Sequence, residues 1–193
     1  MAQYVLVPPL KEEDVRKLQL EDTVRIDGTI FGIRDATQIR IFDQNVEPPA
    51  DLTGAVCLHT APGVKKLPSG KYQKISIGTT TSTRMDRFVP ALLERYKVRV
   101  IVGKAGLTEI SMEAMQRWGA VYLAIVGGAA ALETLQIEEI EEVWWEDLMP
   151  ECLWKFRVKD FGPLVVAMDA HGHSLYRNVQ ERAAERIQRL GFT

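Results

Sequence analysis

The chain has 193 residues, of which 46% are hydrophobic, and its 24 Lys and Arg residues nearly balance its 26 Asp and Glu residues. A chain of this length predicts a single domain spanning residues 1–193. The net charge of -2 is unlike the strong basic excess of a general nucleic-acid-binding protein, so no nucleic-acid partner is expected.

The two cysteines, Cys57 and Cys152, are fewer than the three or four ligands of an iron–sulfur cluster or a structural zinc site. The first residues, MAQYVLVPPLKEEDV, lack the basic region and the apolar run of a signal peptide. The longest apolar stretch, Val121–Leu132, has 12 residues and is too short to span a membrane. These features predict a soluble, reduced, cytoplasmic protein without a membrane partner.

The first half of the chain shows the pattern of short β-strands. Strands are predicted at Thr23–Phe31, Ala55–Leu58 and Lys74–Ile77, where apolar and polar residues alternate over short stretches. The dipeptide Asp27-Gly28 inside the first of these predicts a hairpin turn. The Pro- and Gly-rich segment Pro62–Gly70 predicts a loop.

The second half of the chain alternates helices with apolar strands. The predicted elements are helix Arg84–Tyr96, strand Val98–Val102, helix Thr108–Trp118, strand Ala120–Val126, helix Ala129–Leu135, strands Glu141–Trp145, Trp154–Val158 and Leu164–Met168, and helix Val179–Leu190. Pro90 requires a place near the first turn of its helix or a kink. A strand, a turn and a helix repeated twice predict parallel strands with right-handed crossovers. The fold class is therefore α/β, with a β-rich front half followed by strand–turn–helix units.

Five hydroxyl residues, Thr79–Thr83, separate a predicted strand from a predicted helix and lead to Arg84. At a helix N-terminus, hydroxyl side chains and free backbone N–H groups together can hold an anion, and an arginine can bind a carboxylate with two hydrogen bonds. The alternative is an ordinary helix cap followed by a surface arginine. The local composition leaves both interpretations open.

Two glycine-containing turns follow the apolar strands. Gly103-Lys104-Ala105-Gly106 places an ammonium group where the backbone can approach a ligand, although it lacks the spacing of a phosphate-binding loop. The small residues Gly127–Ala131 allow close approach of a ligand, or of a neighbouring helix, and packing is the simpler explanation. Because ligands bind at the carboxyl ends of parallel strands, both turns are candidates for an anion site.

Two further motifs have simple structural explanations. Arg34-Asp35 fits a surface salt bridge of little energetic value. His171-Gly-His173 has Asp169 as its only nearby carboxylate and lies where a turn follows a strand, so a turn is favoured over a metal site. No metal ligands are therefore predicted in this chain.

Taken together and in this order, the motifs resemble a known family. They are Arg34-Asp35-Ala36, the segment from Gly78 to Asp86, Gly103-Lys104-Ala105-Gly106-Leu107, the segment from Gly119 to Leu123, Gly127-Gly128-Ala129-Ala130, the segment from Met149 to Lys155, Phe161-Gly162-Pro163-Leu164, and Asp169-Ala170-His171-Gly172. The set resembles the C-terminal domain of iron–sulfur (class I) fumarases, which is a separate β-subunit in two-subunit fumarases and L(+)-tartrate dehydratases. The resemblance extends from about Arg34 to Tyr176.

The resemblance implies a swivelling β/β/α domain and a hydro-lyase that is active only with an α-subunit. It also implies that a [4Fe–4S] cluster is held by that α-subunit and that this chain binds none. Fumarate hydratase is the first expectation, with L(+)-tartrate dehydratase or a non-catalytic anion-binding or assembly subunit as alternatives. The expected ligand is a small C4 dicarboxylate, and the isolated chain is expected to be capable of forming a homodimer.

The resemblance also implies which residues line the substrate cleft. Thr80 and Lys104 are the expected catalytic residues, with Thr80 as the base that removes the proton. The expected substrate-binding residues are Arg34, Arg84, Thr81, Gly127 and Gly128. The chain departs from the family pattern at Thr79, Gln38, Ala105 and His173, and the change at Gln38 bears on which C4 acid is accepted.

Overall fold

A computed structural model describes residues 1–128 and 130–191 and shows one seven-stranded sheet and a small two-stranded sheet. The strands are β1 Gln3–Leu6, β2 Thr23–Ile33, β3 Val56–His59, β4 Gly63–Lys66, β5 Tyr72–Ser76, β6 Val100–Gly103, β7 Val121–Ala124, β8 Ile137–Trp144 and β9 Leu153–Met168. Strands β4 and β5 form the small hairpin, and the others form the large sheet in the order β1-β2-β3-β6-β7-β9-β8.

Helices and helical turns connect the strands. The α-helices are α1 Glu12–Arg16, α2 Asp35–Gln38, α3 Val89–Tyr96, α4 Glu109–Trp118, α5 Ala130–Glu133 and α6 Leu175–Arg189. Helices α3 and α4 pack together in a second core on the other face of the sheet from α1. Wider or tighter helical turns occupy Ile39–Asp43, Ser82–Phe88, Thr134–Gln136 and Glu146–Leu148. Within the described part of the chain, none of these helices has the length and hydrophobicity needed to cross a bilayer.

The large sheet closes into a small barrel because β9 pairs with both ends of a parallel set. Strands β2, β3, β6 and β7 are parallel neighbours, and β9 runs antiparallel to β7 and to β2. Strand β9 begins near the end of β2, where Trp154 pairs with Gly32, and it ends near the start of β7, where Met168 pairs with Tyr122. The carboxyl ends of four parallel strands therefore meet at one edge of the barrel, called the carboxyl edge below.

Strands β3, β6 and β7 are buried on both faces, which explains their mainly apolar sequences. Along β6, Val100 and Val102 belong to the core inside the barrel, whereas Ile101 packs into a second core under α3 and α4. This alternation has the period of two expected for a strand. The inner core also contains Trp154 and Phe156, whose rings stack with centroids 6.1 Å apart. The barrel is thus a packed support for the loops at its edge.

The hairpin predicted at Asp27-Gly28 is wrong, because β2 continues through this dipeptide. The pairing of β2 with β9 shifts register between Ile26 and Gly28, and Gly28 has a φ of +110°. Asp27 accepts hydrogen bonds from the side chain of Lys159 and from the backbone of Asp160. The Asp-Gly signal therefore marks a bulge that accommodates a distant strand instead of a turn between adjacent ones.

Several other boundaries also differ from those predicted. Strand β4 lies inside the predicted loop Pro62–Gly70, and the predicted strands Trp154–Val158 and Leu164–Met168 form the single strand β9. Strands β3, β6 and β7 are confirmed, and Pro90 lies in the first turn of α3, the first of the two places predicted for it. Helix α5 begins at Ala130, and Ala129, where the prediction started this helix, lies outside the described residues. The α/β class with a β-rich front half is confirmed, including the parallel pairing of β3, β6 and β7.

Candidate functional site

The hydroxyl-rich segment after β5 is bound between the ends of β3 and β6. The backbone N–H of Thr80 donates to the carbonyl of His59 over 3.0 Å, and the N–H of Ser82 donates to the carbonyl of Lys104 over 3.0 Å. Between them, Thr81 forms a parallel bridge with Lys104. These contacts place the backbone of Thr80 and Thr81 next to the ends of β3 and β6, in the same part of the molecule as Lys104.

Lys104 is half-buried, and its side chain passes over Gly127. A Cβ atom built on Gly127 would lie 3.7 Å from Cδ and 3.9 Å from Nζ of the lysine. Lys104 makes no ion pair with a carboxylate of residues 1–128 and 130–191, so its charge is available to an anion. Gly128 lies on the exposed side of the same turn. The small residues after β7 thus leave room beside the ammonium group.

Arg34 and Arg84 lie at the same carboxyl edge and share one carboxylate. Asp35 Oδ2 is 2.8 Å from Nη2 of Arg84 and 3.4 Å from Nε of Arg34. Glu151 Oε1 approaches Nε of Arg34 to 3.4 Å, while its other oxygen accepts the N–H of Ala36 over 2.8 Å. The side chain of Arg34 is only about one fifth exposed, so the contact between Arg34 and Asp35 is not the exposed surface salt bridge that the sequence suggested. Both arginines are therefore restrained by ion pairs, and Nε of Arg34 makes no hydrogen bond with the described residues.

Glu151 is a site residue that sequence reasoning missed. It belongs to the Met149-Pro150-Glu151 motif used for the family resemblance, but no role was assigned to it. The role of Glu151 depends on the position of β9, whose first residues lie beside the end of β2, and a local sequence pattern does not give that position. A carboxylate just before that strand is thereby brought to Arg34 across 117 positions of sequence.

His59 is a second residue that the sequence did not single out. It is fully buried at the end of β3, and its Nδ1 lies 2.9 Å from Oγ of Ser82. Burial lowers the pKa of His59 to about 4, against an opposing effect from the negative charge of Asp35. The ring is therefore neutral at physiological pH and serves as a fixed hydrogen-bonding group.

This buried imidazole makes the stability of the chain depend on pH. In the unfolded chain its pKa returns to about 6.5, so between about pH 6.5 and the folded value the unfolded state binds a proton that the folded state does not. We expect the free energy of unfolding to fall by up to about 1.4 kcal/mol per pH unit as the pH decreases through this window. Above about pH 6.5 the ring is neutral in both the folded and the unfolded chain, so His59 contributes no pH dependence there.

Urea denaturation of the wild type and His59→Asn, at neutral pH and at about pH 5, measures this dependence. The variant is expected to lose less stability than the wild type on acidification, because it lacks the titrating ring. Equal losses in the two proteins would show that His59 is not protonated on unfolding.

The structure brings most of the predicted site residues together. Arg34, Thr80, Thr81, Arg84, Lys104 and Gly127 all lie at the carboxyl edge, while Gly128 is the exposed residue next to it. Their roles in binding and catalysis stay predictions. Gln38 is fully buried and both of its amide atoms lack hydrogen-bond partners among the described residues, so it does not line the exposed surface of the site.

The histidine pair lies at the other end of the barrel. His171 and His173 follow the end of β9, where both backbone N–H groups donate to Asp169 Oδ1, over 2.9 and 3.0 Å. His173 Nδ1 lies 2.9 Å from the other oxygen of Asp169. The segment forms the turn predicted from the sequence, and it lies away from the carboxyl edge.

The residues of this chain do not fit an iron–sulfur cluster. Cys57 and Cys152 are both buried, and burial raises the pKa of the first thiol to about 12 and of the second to about 11. Cluster ligands are thiolates, which such an environment disfavours. In residues 1–128 and 130–191, no three His, Cys, Asp or Glu side chains are grouped so that they could hold a metal ion.

Comparison with known proteins agrees with the resemblance and extends it to the N-terminus. Residues 2–179 match the family model described as Fumarase C-terminus. The L(+)-tartrate dehydratase subunit beta of Escherichia coli (strain K12) is 38% identical over 183 residues, which are 94% of this chain and 90% of that protein. The putative L(+)-tartrate dehydratase subunit beta of Methanocaldococcus jannaschii is 35% identical over 186 residues, covering 94% and 95% of the two chains.

A longer protein contains a similar segment. The putative fumarate hydratase class I of Geobacillus stearothermophilus is 35% identical over 189 residues, which are 96% of this chain but 36% of that protein. The names of all three relatives denote hydro-lyases. With nearly its whole length matched by one family model, this chain belongs to the Fumarase C-terminus family.

Proposed function

We propose that this chain is the β-subunit of a hydro-lyase that reversibly dehydrates L-malate to fumarate at a site shared with an α-subunit. The observation that carries the proposal is the convergence of three cations, Arg34, Arg84 and Lys104, with the Thr80 hydroxyl at one edge of the barrel. A dicarboxylate carries two negative charges, and cations fixed on separate strand ends can bind its two ends.

The two arginines are assigned to substrate binding. Arg84 is half exposed and reaches its partner Asp35 through a single nitrogen, so the rest of its guanidinium group can accept a substrate carboxylate. Arg34 is more deeply placed, between Asp35 and Glu151. Because these carboxylates fix both guanidinium groups, little side-chain entropy is lost when the substrate binds.

Thr80 and Lys104 are assigned to the proton transfer. Dehydration removes a proton from C3 and the hydroxyl group from C2, and the bonding electrons of the C–H bond form the new double bond. A threonine hydroxyl is a poor base, so a neighbouring ammonium group that favours its alkoxide is a requirement of this assignment. We assign this role to Lys104, whose backbone forms a bridge with Thr81, and also the role of stabilising the negative charge that develops on the substrate carboxylate.

The [4Fe–4S] cluster of the proposed enzyme is assigned to the α-subunit. The two buried cysteines of this chain are unsuited to hold it, and the roles given above belong to this chain alone. A surface for the α-subunit is supported by the apolar side chains of Val126, Leu132 and Leu135, which are exposed beside the carboxyl edge. Apolar groups concentrated next to a site favour contact with another protein.

A second candidate substrate is L(+)-tartrate. The relatives that are separate subunits are named for tartrate dehydratase, whereas the relative named for fumarate hydratase is a longer chain. Tartrate has the same carbon skeleton and the same two carboxylates as malate, with one additional hydroxyl group. A single hydroxyl changes selectivity by only about 1–3 kcal/mol in a pocket not built to bind it, so both acids must be measured.

Anaerobic co-expression with the α-subunit, followed by kcat/KM for L-malate, L(+)-tartrate and 2-methylmalate, tests the proposal. We expect L-malate to have the highest value. A higher value for L(+)-tartrate would replace the substrate and keep the hydro-lyase. If none of the acids reacts in an assembled complex with an intact cluster, the enzyme assignment is wrong and the anion-binding or assembly role takes its place.

A further inference from the structure

His59 contacts the hydroxyl-rich segment on both sides of Thr81. Its backbone carbonyl accepts the N–H of Thr80 over 3.0 Å, and its ring Nδ1 lies 2.9 Å from Oγ of Ser82. Both His59 and Ser82 are fully buried. A single residue at the end of β3 thus anchors the segment immediately before and immediately after its central threonine.

Ser82 belongs to a chain of buried hydrogen bonds. The N–H of Gly106 donates to the hydroxyl oxygen of Tyr122 over 3.3 Å, and the Tyr122 hydroxyl lies 3.0 Å from Oγ of Ser82. The serine hydroxyl can pair with Nδ1 of His59 in either tautomer of the ring, as donor or as acceptor. Nε2 of His59 has no partner among the described residues. The low pKa of His59 agrees with a neutral ring.

The same serine is connected to the lysine of the site. Its backbone N–H donates to the carbonyl of Lys104 over 3.0 Å, and its side chain lies against Gly103. A Cβ atom on Gly103 would come within 1.9 Å of Oγ of Ser82, so only glycine leaves the space that the serine occupies. Ser82 therefore links the end of β3 to the end of β6.

We propose that His59, acting through Ser82, is a positioning residue that fixes the Thr80 hydroxyl relative to the Lys104 ammonium group. The inference rests on the proposed function, since it concerns the two groups assigned to proton transfer. Neither His59 nor Ser82 is exposed to a substrate, so their effect is exerted through the position of the segment. A displacement of about 1 Å between reacting groups can cost about 100-fold in rate.

Three variants test the proposal in the complex with the α-subunit. His59→Leu keeps much of the volume but removes the ring nitrogen, and Ser82→Ala removes the hydroxyl group. His59→Asn is the conservative variant, because its side-chain amide can pair with the serine hydroxyl from about the same place. We expect the first two to lower kcat about 100-fold, with less than about a threefold change in KM, and the asparagine variant to recover most of the loss.

Amide hydrogen exchange on the full-length chain alone provides a readout that does not need activity. With one hydrogen bond lost, the N–H groups of Thr80 and Ser82 should exchange about fivefold faster in His59→Leu and in Ser82→Ala, and at nearly the wild-type rate in His59→Asn. Unchanged exchange in the first two variants overturns the proposal, as does exchange that increases equally in all three. Altered exchange together with an inactive wild-type complex refutes the proposed function and leaves the positioning of the segment established.

Ser82→Ala is the least disruptive of these changes and is the decisive variant if His59→Leu does not fold. A wild-type kcat for Ser82→Ala in an active complex would also contradict the proposal. If the variants raise KM and leave kcat unchanged, the contact serves substrate binding and His59 does not position the proton-transfer groups.

Discussion

Replacing Thr80 by valine is expected to lower kcat of the assembled enzyme about 1000-fold while changing KM only a few-fold. Valine has nearly the shape of threonine, so the substitution removes the hydroxyl group without creating a cavity. The Thr80 hydroxyl has no hydrogen bond to another residue in the described ranges, so its removal leaves no new unpaired group there. The loss therefore measures the contribution of the hydroxyl to proton transfer.

Thr83→Val is the matched control, because Thr83 is an exposed residue of the same segment, with its hydroxyl bonded to the carbonyl of Gly106. We expect it to keep kcat within a few-fold of the wild type. An increase in KM at unchanged kcat for Thr80→Val would make Thr80 a binding residue and would require another base.

Replacing Lys104 by methionine is expected to reduce kcat/KM by about 100- to 1000-fold, the effect of removing one preorganised electrostatic group from an active site. Methionine keeps the length of the side chain and the contact with Gly127, so the loss reports on the charge. Two effects add here: weaker binding of a carboxylate and a less accessible alkoxide on Thr80. The measurement is steady-state turnover of the purified complex over a range of substrate concentrations.

Lys17→Met provides the comparison, since Lys17 is half exposed, follows α1 and pairs with Asp14 on the same helix. It should leave kcat/KM unchanged. Lys104→Arg restores the charge with a different shape and is expected to recover only part of the activity. Full activity in Lys104→Met would support the alternative of a subunit that serves assembly only.

The parallel strands could be predicted from the sequence because each is indicated by a local sequence pattern. Val98–Val102, which is apolar except for Arg99, and the apolar run Ala120–Val126 are each followed by glycine, which is the pattern of strands buried on both faces. The closure of the barrel could not be predicted, because it depends on the pairing of β9 with β2. The residues that pair there, such as Gly32 and Trp154, are far apart in sequence. The Asp27-Gly28 signal was misleading for the same reason, since a bulge and a hairpin turn use the same residues.

The same distinction between local and long-range information applies to the candidate site. Arg84, Lys104 and the threonines stood out because they lie in glycine- and threonine-rich loops at strand ends, whereas Arg34 was predicted only through the family resemblance. The partners that hold them were not predicted: Glu151 reaches Arg34 only through the closure of the barrel, and His59 has no distinguishing local pattern. Sequence indicates the groups that meet a ligand more readily than the groups that position them.

A reconstitution titration tests whether this chain supplies half of a composite active site. Increasing amounts of the purified chain are added anaerobically to a fixed amount of cluster-loaded α-subunit, and the dehydration rate is followed with L-malate and with L(+)-tartrate. We expect no turnover by either subunit alone, a rate that rises with added chain and saturates at one chain per α-subunit, and no such rise with Lys104→Met. Full turnover by the α-subunit alone, unchanged by added chain, would contradict a composite active site.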